Sequence, residues 1–264
     1  MSNIQLRATF NTDAERYHAL RPQYPSELFD ALITLTHMPD NAKLLEIGPG
    51  TGQATLPLAE RGYEITAVEL GSELAKKTSK TLAAYPKVRV ITGAFEDVKL
   101  PSQHYDLVYA ATAFHWIDTA SKFKKPHTLL KANGHLVIIH TEHVSDESGD
   151  EFFYASWPIY RKHGLTDTQT DTPGFTLPRL KGLQPPERMD EALFSPESFT
   201  VFPMTVTYTS REYAELLGTY SRQLALPRDK RDAFLGEIEE LIDTTFGGHL
   251  VKHYGMTLTI ARKI

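Results

Sequence analysis

The stretch LLEIGPGTG, Leu44 to Gly52, reads as the end of a buried strand running into Gly48, Gly50 and Gly52. A glycine turn in that position lets a ligand approach the backbone, because no Cβ stands in the way. Phosphates, dinucleotides and adenosyl compounds are all held on such turns. A dinucleotide turn follows G-x-G-x-x-G, and Gln53 stands where the third glycine would fall. A P-loop needs Lys and then Ser or Thr after its glycines, and none follow here. Glu46, two residues before Gly48, suits a cationic ligand better than a pyrophosphate.

Around this turn, Lys43–Ile47, Glu64–Leu70, Val88–Gly93, Tyr105–Thr112 and His135–His140 are short, nearly continuous apolar runs. Such runs suit parallel strands covered on both faces. Helix-compatible segments lie between them at Gln53–Arg61, Ser72–Ala84 and Ala120–Leu130. The alternation predicts an α/β, doubly wound, mostly parallel sheet. Tyr24–Thr36 predicts a helix ahead of it, with Leu28, Ala31, Leu32 and Leu35 on one face. Near the end, Met204–Thr209 and Met256–Ile264 read as strands six and seven, a final hairpin that would form an antiparallel edge, with the last strand antiparallel. A helix capped by Ser210 and another over Pro227–Phe246 separate them.

Residues from about Thr141 to Met204 are rich in Pro, Gly, Asp and aromatics, and are too long for a bare loop. They predict an inserted cap whose best helix is Gly149–Gly164, with Pro158 expected to kink or split it. The expected organisation is one domain over 1–264. Within it lie a lid and helix (1–36), a cofactor-binding core (37–140), a substrate cap (141–203) and a completion of the sheet (204–264).

The chain has 28 basic and 33 acidic residues, a formal net charge of -5. That balance gives no reason to expect nucleic acid or an anionic membrane as partner. With no cysteine, disulfides, thiolate nucleophiles and cysteine metal sites are excluded. The beginning, MSNIQLRATFNTDAERY, lacks an apolar core of signal-peptide type, and no apolar run is long enough to span a bilayer. The expectation is a soluble, cytoplasmic monomer or homodimer. No metal is expected either: HTEH (His140–His143) lacks the helical spacing of a zinc motif and reads as structural or solvent-exposed.

The ordered motifs resemble those of class I S-adenosylmethionine-dependent methyltransferases, in the small-molecule, type 11-like branch that includes relatives of trans-aconitate methyltransferases. LLEIGPGTG resembles their motif I. The resemblance implies a seven-stranded Rossmann-like sheet with S-adenosylmethionine as cofactor. Its methionine part would lie on Glu46, Gly48, Pro49, Gly50 and Gly52. Glu69, followed by Leu70, would meet the ribose. GAFED resembles the family's adenine-lining segment, although Ala94 stands where aspartate is common; Phe95 and Glu96 are the substitutes. Ala111 and Thr112 would lie beside the cofactor, and His115, just beyond, near the methyl group. Asp106 matches a structural aspartate, and His135 replaces a family glycine. FNTDAERYHALRPQYP resembles the branch's lead-in, which makes Phe10, Tyr17 and Arg21 lid residues, with Arg21 able to pair with a carboxylate of cofactor or substrate.

The chemistry implied is transfer of a methyl group to a small-molecule acceptor, with O-methylation, including that of a carboxylate, favoured. His115 is the candidate base for a hydroxyl or carbon-acid acceptor, and Arg21 or Arg161 would orient a carboxylate. Phe153, Tyr154, Trp157 and Tyr160 form either an acceptor wall or the cap's own core. Two other readings are carried: an S-adenosylmethionine-binding module without turnover, and an NAD-dependent oxidoreductase, which Gln53 and Glu46 oppose.

Overall fold

The computed structural model describes residues 20–145, 150–166, 170 and 172–264. Seven strands form one sheet in the order β3-β2-β1-β4-β5-β7-β6. They are β1 (Lys43–Ile47), β2 (Glu64–Glu69), β3 (Val88–Thr92), β4 (Tyr105–Ala111), β5 (Leu130–Val144), β6 (Phe194–Thr209) and β7 (His249–Lys263). The pairs β1–β2, β1–β4, β2–β3 and β4–β5 are parallel. The last strands are antiparallel, which makes the sheet mixed but mostly parallel, as the sequence implied.

The described helices are α1 (Ser26–Leu35), α2 (Thr55–Glu60), α3 (Ser72–Thr81), α4 (Lys124–Leu129), α5 (Glu151–Lys162), α6 (Ser210–Leu217), α7 (Ser221–Leu224) and α8 (Arg228–Thr245). None is long and apolar enough to cross a membrane.

The chain divides into two compact units. The sheet unit comprises 23–141, 184–202 and 256–264. Its core joins Leu45, Ile47 and Val68 to Val108, Ala110, Leu136 and Ile138, the apolar positions of the central strands. Burying each of the Leu, Ile and Val side chains contributes about 2 kcal/mol, which favours packing these runs into the sheet over leaving them in loops. Asp106 accepts from the Lys43 N–H and the Lys131 ammonium, both at 2.8 Å, and so ties β4 to the start of β1.

The helical unit comprises 142–183 and 203–255 together with the N-terminal segment. Its core gathers Phe152, Tyr213, Leu216, Leu217, Phe234, Ile238 and Ile242 from α5, α6 and α8.

Several boundaries differ from the sequence reading. β5 begins at Leu130 and continues through HTEH to Val144, instead of covering His135–His140 alone. β6 begins at Phe194, ten residues before Met204; Pro196 and Pro203 lie within it, tolerated because it is the edge strand. β7 lies between β5 and β6, so the last two strands form the antiparallel edge that the sequence implied, with β6 outermost. α5 runs unbroken past Pro158. The proline removes the N–H that would bond the Tyr154 carbonyl, and Tyr154 is an exposed residue. α6 is capped by Thr209 and not by Ser210: the Thr209 hydroxyl accepts from Glu212 N–H, while the Glu212 carboxylate accepts from Thr209 N–H.

Candidate functional site

β1 delivers the chain into a turn that only glycine can make. Gly48, Gly50 and Gly52 have φ of 67°, 61° and 89°. At Gly48 a Cβ would come within 2.7 Å of Ala113 Cβ, so the turn also packs tightly against the end of β4. Gly48 N–H donates to the Val68 carbonyl at 2.9 Å. Gly50 is held at both ends: its N–H donates to Glu69 Oε2 at 3.0 Å, and its carbonyl accepts from Thr78 Oγ1 of α3 at 2.6 Å. Glu69 Oε1 accepts from Gly71 N–H at 2.9 Å. One carboxylate therefore joins the turn after β1 to the turn after β2. Pro49 and Gly52 are buried, and Leu70 is half-buried beside Glu69.

Glu46 differs from its expected part as an open anionic contact. Its side chain is 1% exposed; Oε2 accepts from Thr55 Oγ1 at 2.6 Å and from the Tyr109 hydroxyl at 2.8 Å. Oε1 is buried with no hydrogen-bond partner. Burial dominates over the two hydroxyls and raises its pKa to about 7. A raised pKa weakens the case for Glu46 as a fixed negative charge.

After β3, Gly93 N–H donates to the Glu69 carbonyl at 2.8 Å, which sets GAFED beside the end of β2. Ala94 and Glu96 are half-buried. Phe95 is 2% exposed and belongs to the sheet core, so it offers almost no side-chain surface to a ligand. Glu96 Oε1 accepts from Asp118 N–H at 3.0 Å and ties this loop to the one after β4. The Lys125 ammonium donates to the carbonyls of Phe95, Glu96 and Val98 at 2.5, 3.0 and 2.7 Å. Burial pushes its pKa down.

β4 ends at Ala111, and Thr112 then takes φ of 54°. A β-branched residue in the left-handed region is a strained outlier, and such strain concentrates at functional sites. The Thr112 hydroxyl is 2.9 Å from the Tyr24 hydroxyl, and its N–H donates to the Ile139 carbonyl at 2.8 Å. Phe114–Trp116 form one turn of 3-10 helix. Phe114 is buried and anchors it, while His115 is exposed. The His115 ring lies edge-on to His140, with centroids 5.9 Å apart.

Within the helical unit, Arg21 Nε donates to Thr219 Oγ1 at 3.2 Å and Nη2 to the Thr219 carbonyl at 3.1 Å. Its guanidinium lies 4.1 Å from the Tyr220 ring centroid. Two of its donors thus serve the protein itself and not a carboxylate. Phe10 and Tyr17 lie outside the described residues. Of the four aromatics read as a wall, Phe153, Trp157 and Tyr160 line one cavity, and Tyr154 faces out. No cluster of three or more metal-binding side chains occurs among the described residues.

The sequence reading missed Thr78, Tyr24 and Lys125. A threonine, a tyrosine and a lysine on unremarkable helical or loop positions carry no local signal, and their partners lie 27 to 88 residues away.

An adenosyl compound fits this arrangement. The Cβ-free turn admits its amino-acid end. The Glu69 carboxylate, which accepts from two N–H groups at the strand end, is an acceptor of the kind to which ribose hydroxyls donate. A pyrophosphate fits poorly, because the Gly50 N–H it would need already serves a carboxylate that would repel it.

The comparisons with known proteins agree. Residues 45–138 match a family described as a methyltransferase domain. An uncharacterized methyltransferase-like protein of Schizosaccharomyces pombe is 27% identical over 237 residues, covering 89% of this chain and 86% of its own. A second from that yeast is 25% identical over 242 residues, covering 89% and 88%. A solved structure from Anaeromyxobacter dehalogenans, provisionally described as a type II methyltransferase, shares the fold with a TM-score of 0.61 at 21% identity, covering 92% and 98%. The [4+2]-cyclase SpnF also shares it, with a TM-score of 0.51 at 16% identity over 92% and 84%, so the fold alone does not fix the reaction. Sheet order and glycine turn together define the class I arrangement. With the methyltransferase domain matched over residues 45–138, the chain is similar to S-adenosylmethionine-dependent methyltransferases in that domain and in fold.

Proposed function

We propose that the protein methylates an oxygen of a small-molecule acceptor, with Glu69 and the Gly48–Gly52 turn holding the cofactor and His115 taking the acceptor's proton. S-adenosylmethionine supplies a methyl carbon already activated by positive sulfur. The chain's own task is then to align the acceptor, exclude water and accept a proton.

The observation that carries the reading is the pair of turns joined by Glu69, with strained Thr112 and exposed His115 on the loop beyond β4. In a doubly wound sheet, ligands bind beyond the carboxyl ends of the strands, and all these residues lie at those ends. As the acceptor oxygen gains the methyl group, its O–H bond breaks and the proton passes to the His115 imidazole. For a carboxylate acceptor no base is needed. Glu46, Pro49 and Gly52 shape the turn, and Leu70, Ala94, the Phe95 backbone, Glu96 and Ala111 border the site.

Incubation with S-adenosylmethionine and a panel of phenols, aliphatic alcohols and carboxylic acids tests this. Methyl ethers or esters are expected, and His115→Gln should slow ether formation by about 100-fold or more while leaving ester formation unchanged. Turnover that gives only N- or C-methylated products would overturn it.

A further inference from the structure

We propose that the helical unit holds a recognition element of its own: a cavity that binds a neutral, planar aromatic molecule bearing a hydroxyl group. The inference is argued from the helical unit alone and does not rest on how the turn after β1 is read.

The cavity encloses about 300 Å³, which lies at the small end of ligand sites. Its wall is aromatic: Phe153, Trp157, Tyr160, Tyr213 and Tyr220, with Phe175 at the rim. Phe153, Trp157 and Phe175 are mutually packed, with centroids 5.4 to 6.0 Å apart, so they form a rigid face on which a planar ring can lie.

The polar groups are few and their charges are spent. Lys252, 3% exposed, is ion-paired with Asp150. Arg222 is exposed at the outside. His143 lies on β5, three residues from His140 and so on the opposite face of the strand. Burial, aided by the positive charges of Lys252 and Arg21, lowers its pKa to about 4, so the ring is neutral at pH 7. One ring nitrogen, Nε2, is 3.2 Å from the Tyr220 hydroxyl; the other has no partner among the described residues. Gln223, 4% exposed, also lines the cavity, and its Oε1 is buried without a partner.

An aromatic wall, a neutral imidazole with one nitrogen unused and a buried amide with its oxygen unused ask for an apolar ring and a group able to donate or accept. A hydroxyl does both. Of the cations that line the cavity among the described residues, Lys252 is ion-paired and Arg222 lies at the outside, and an anion would have to leave water beside aromatic rings.

Calorimetry on the full-length protein at pH 7, with 2-naphthol, naphthalene and 2-naphthoate as probes, tests this. 2-Naphthol is expected to bind at tens of micromolar, naphthalene about tenfold more weakly, and 2-naphthoate no tighter than naphthalene. In His143→Phe the preference for naphthol over naphthalene should shrink to about twofold while naphthalene still binds. Absence of naphthol binding, tighter binding of naphthoate, or an unchanged preference in His143→Phe would each overturn the proposal. The first two readings need no variant and stand even if His143→Phe does not fold.

Discussion

Glu69 Oε2 accepts a hydrogen bond from Gly50 N–H at 3.0 Å, while its Oε1 accepts one from Gly71 at 2.9 Å. The carboxylate proposed to meet the ribose is thus also the clasp that holds the glycine turn. Glu69→Gln puts an amide NH2 against one of these two donors. The expected result is a loss of affinity for S-adenosylhomocysteine of about 30-fold or more, some 2 kcal/mol, in a calorimetric titration. An affinity within twofold of wild type would mean that Glu69 is not part of the site.

Gly48→Ala asks for a side chain in the left-handed region and within 2.7 Å of Ala113 Cβ. Because Ala113 belongs to the loop that leads to His115, the strain reaches that loop as well. Chemical denaturation should show a loss of about 2 kcal/mol or more. A loss below about 0.5 kcal/mol would show that the turn adapts freely.

Thr112, at φ of 54°, offers a comparison between two variants that both lose the hydroxyl. Ordinarily alanine is more stable than glycine. Here Thr112→Gly should exceed Thr112→Ala in stability by about 1 kcal/mol, since only glycine is free of strain in the left-handed region. The usual order in a denaturation series would contradict the strained geometry.

Glu46 makes stability depend on pH. Its folded-state pKa of about 7 is above its ordinary 4.5, so between those values the native state binds more protons than the unfolded chain. Stability from this group is present below about 4.5 and is lost as pH rises through 7. The full effect is on the order of 3 kcal/mol. Denaturation of wild type and Glu46→Gln at pH 5, 6, 7 and 8 should show wild type losing ground steadily to the variant. Parallel curves would mean that the carboxyl is not buried as described.

The strands around the turn were legible because β1, β2 and β4 are covered on both faces and must be apolar almost throughout. β6 was legible only from Met204, since its Pro196 and Pro203 look like loop residues unless the strand is known to be at an edge. Residues 141–143 read as the beginning of the inserted cap because their polar side chains hide a strand that continues to Val144.

The same distinction divides the site. Gly48, Gly50 and Gly52 announce their conformation through residue type, and Glu69 through its place at a strand end. The pairing of His135 with Glu197, 62 residues on and 3.1 Å away, is fixed by strand order and has no local signature. That pairing gives the histidine that replaces a family glycine a structural partner. The burial of Glu46 was likewise invisible, because a strand-end glutamate reads the same whether it faces a ligand or a tyrosine hydroxyl.

The account rests on the turn after β1 being the seat of an adenosyl compound. Calorimetric titration of the protein with S-adenosylhomocysteine, and separately with NAD, tests that most directly. Binding of S-adenosylhomocysteine at micromolar to tens-of-micromolar concentration, abolished or strongly weakened in Glu69→Gln, with no heat from NAD, is the predicted result. No binding of S-adenosylhomocysteine at about 100 μM, or tighter binding of NAD, would contradict it.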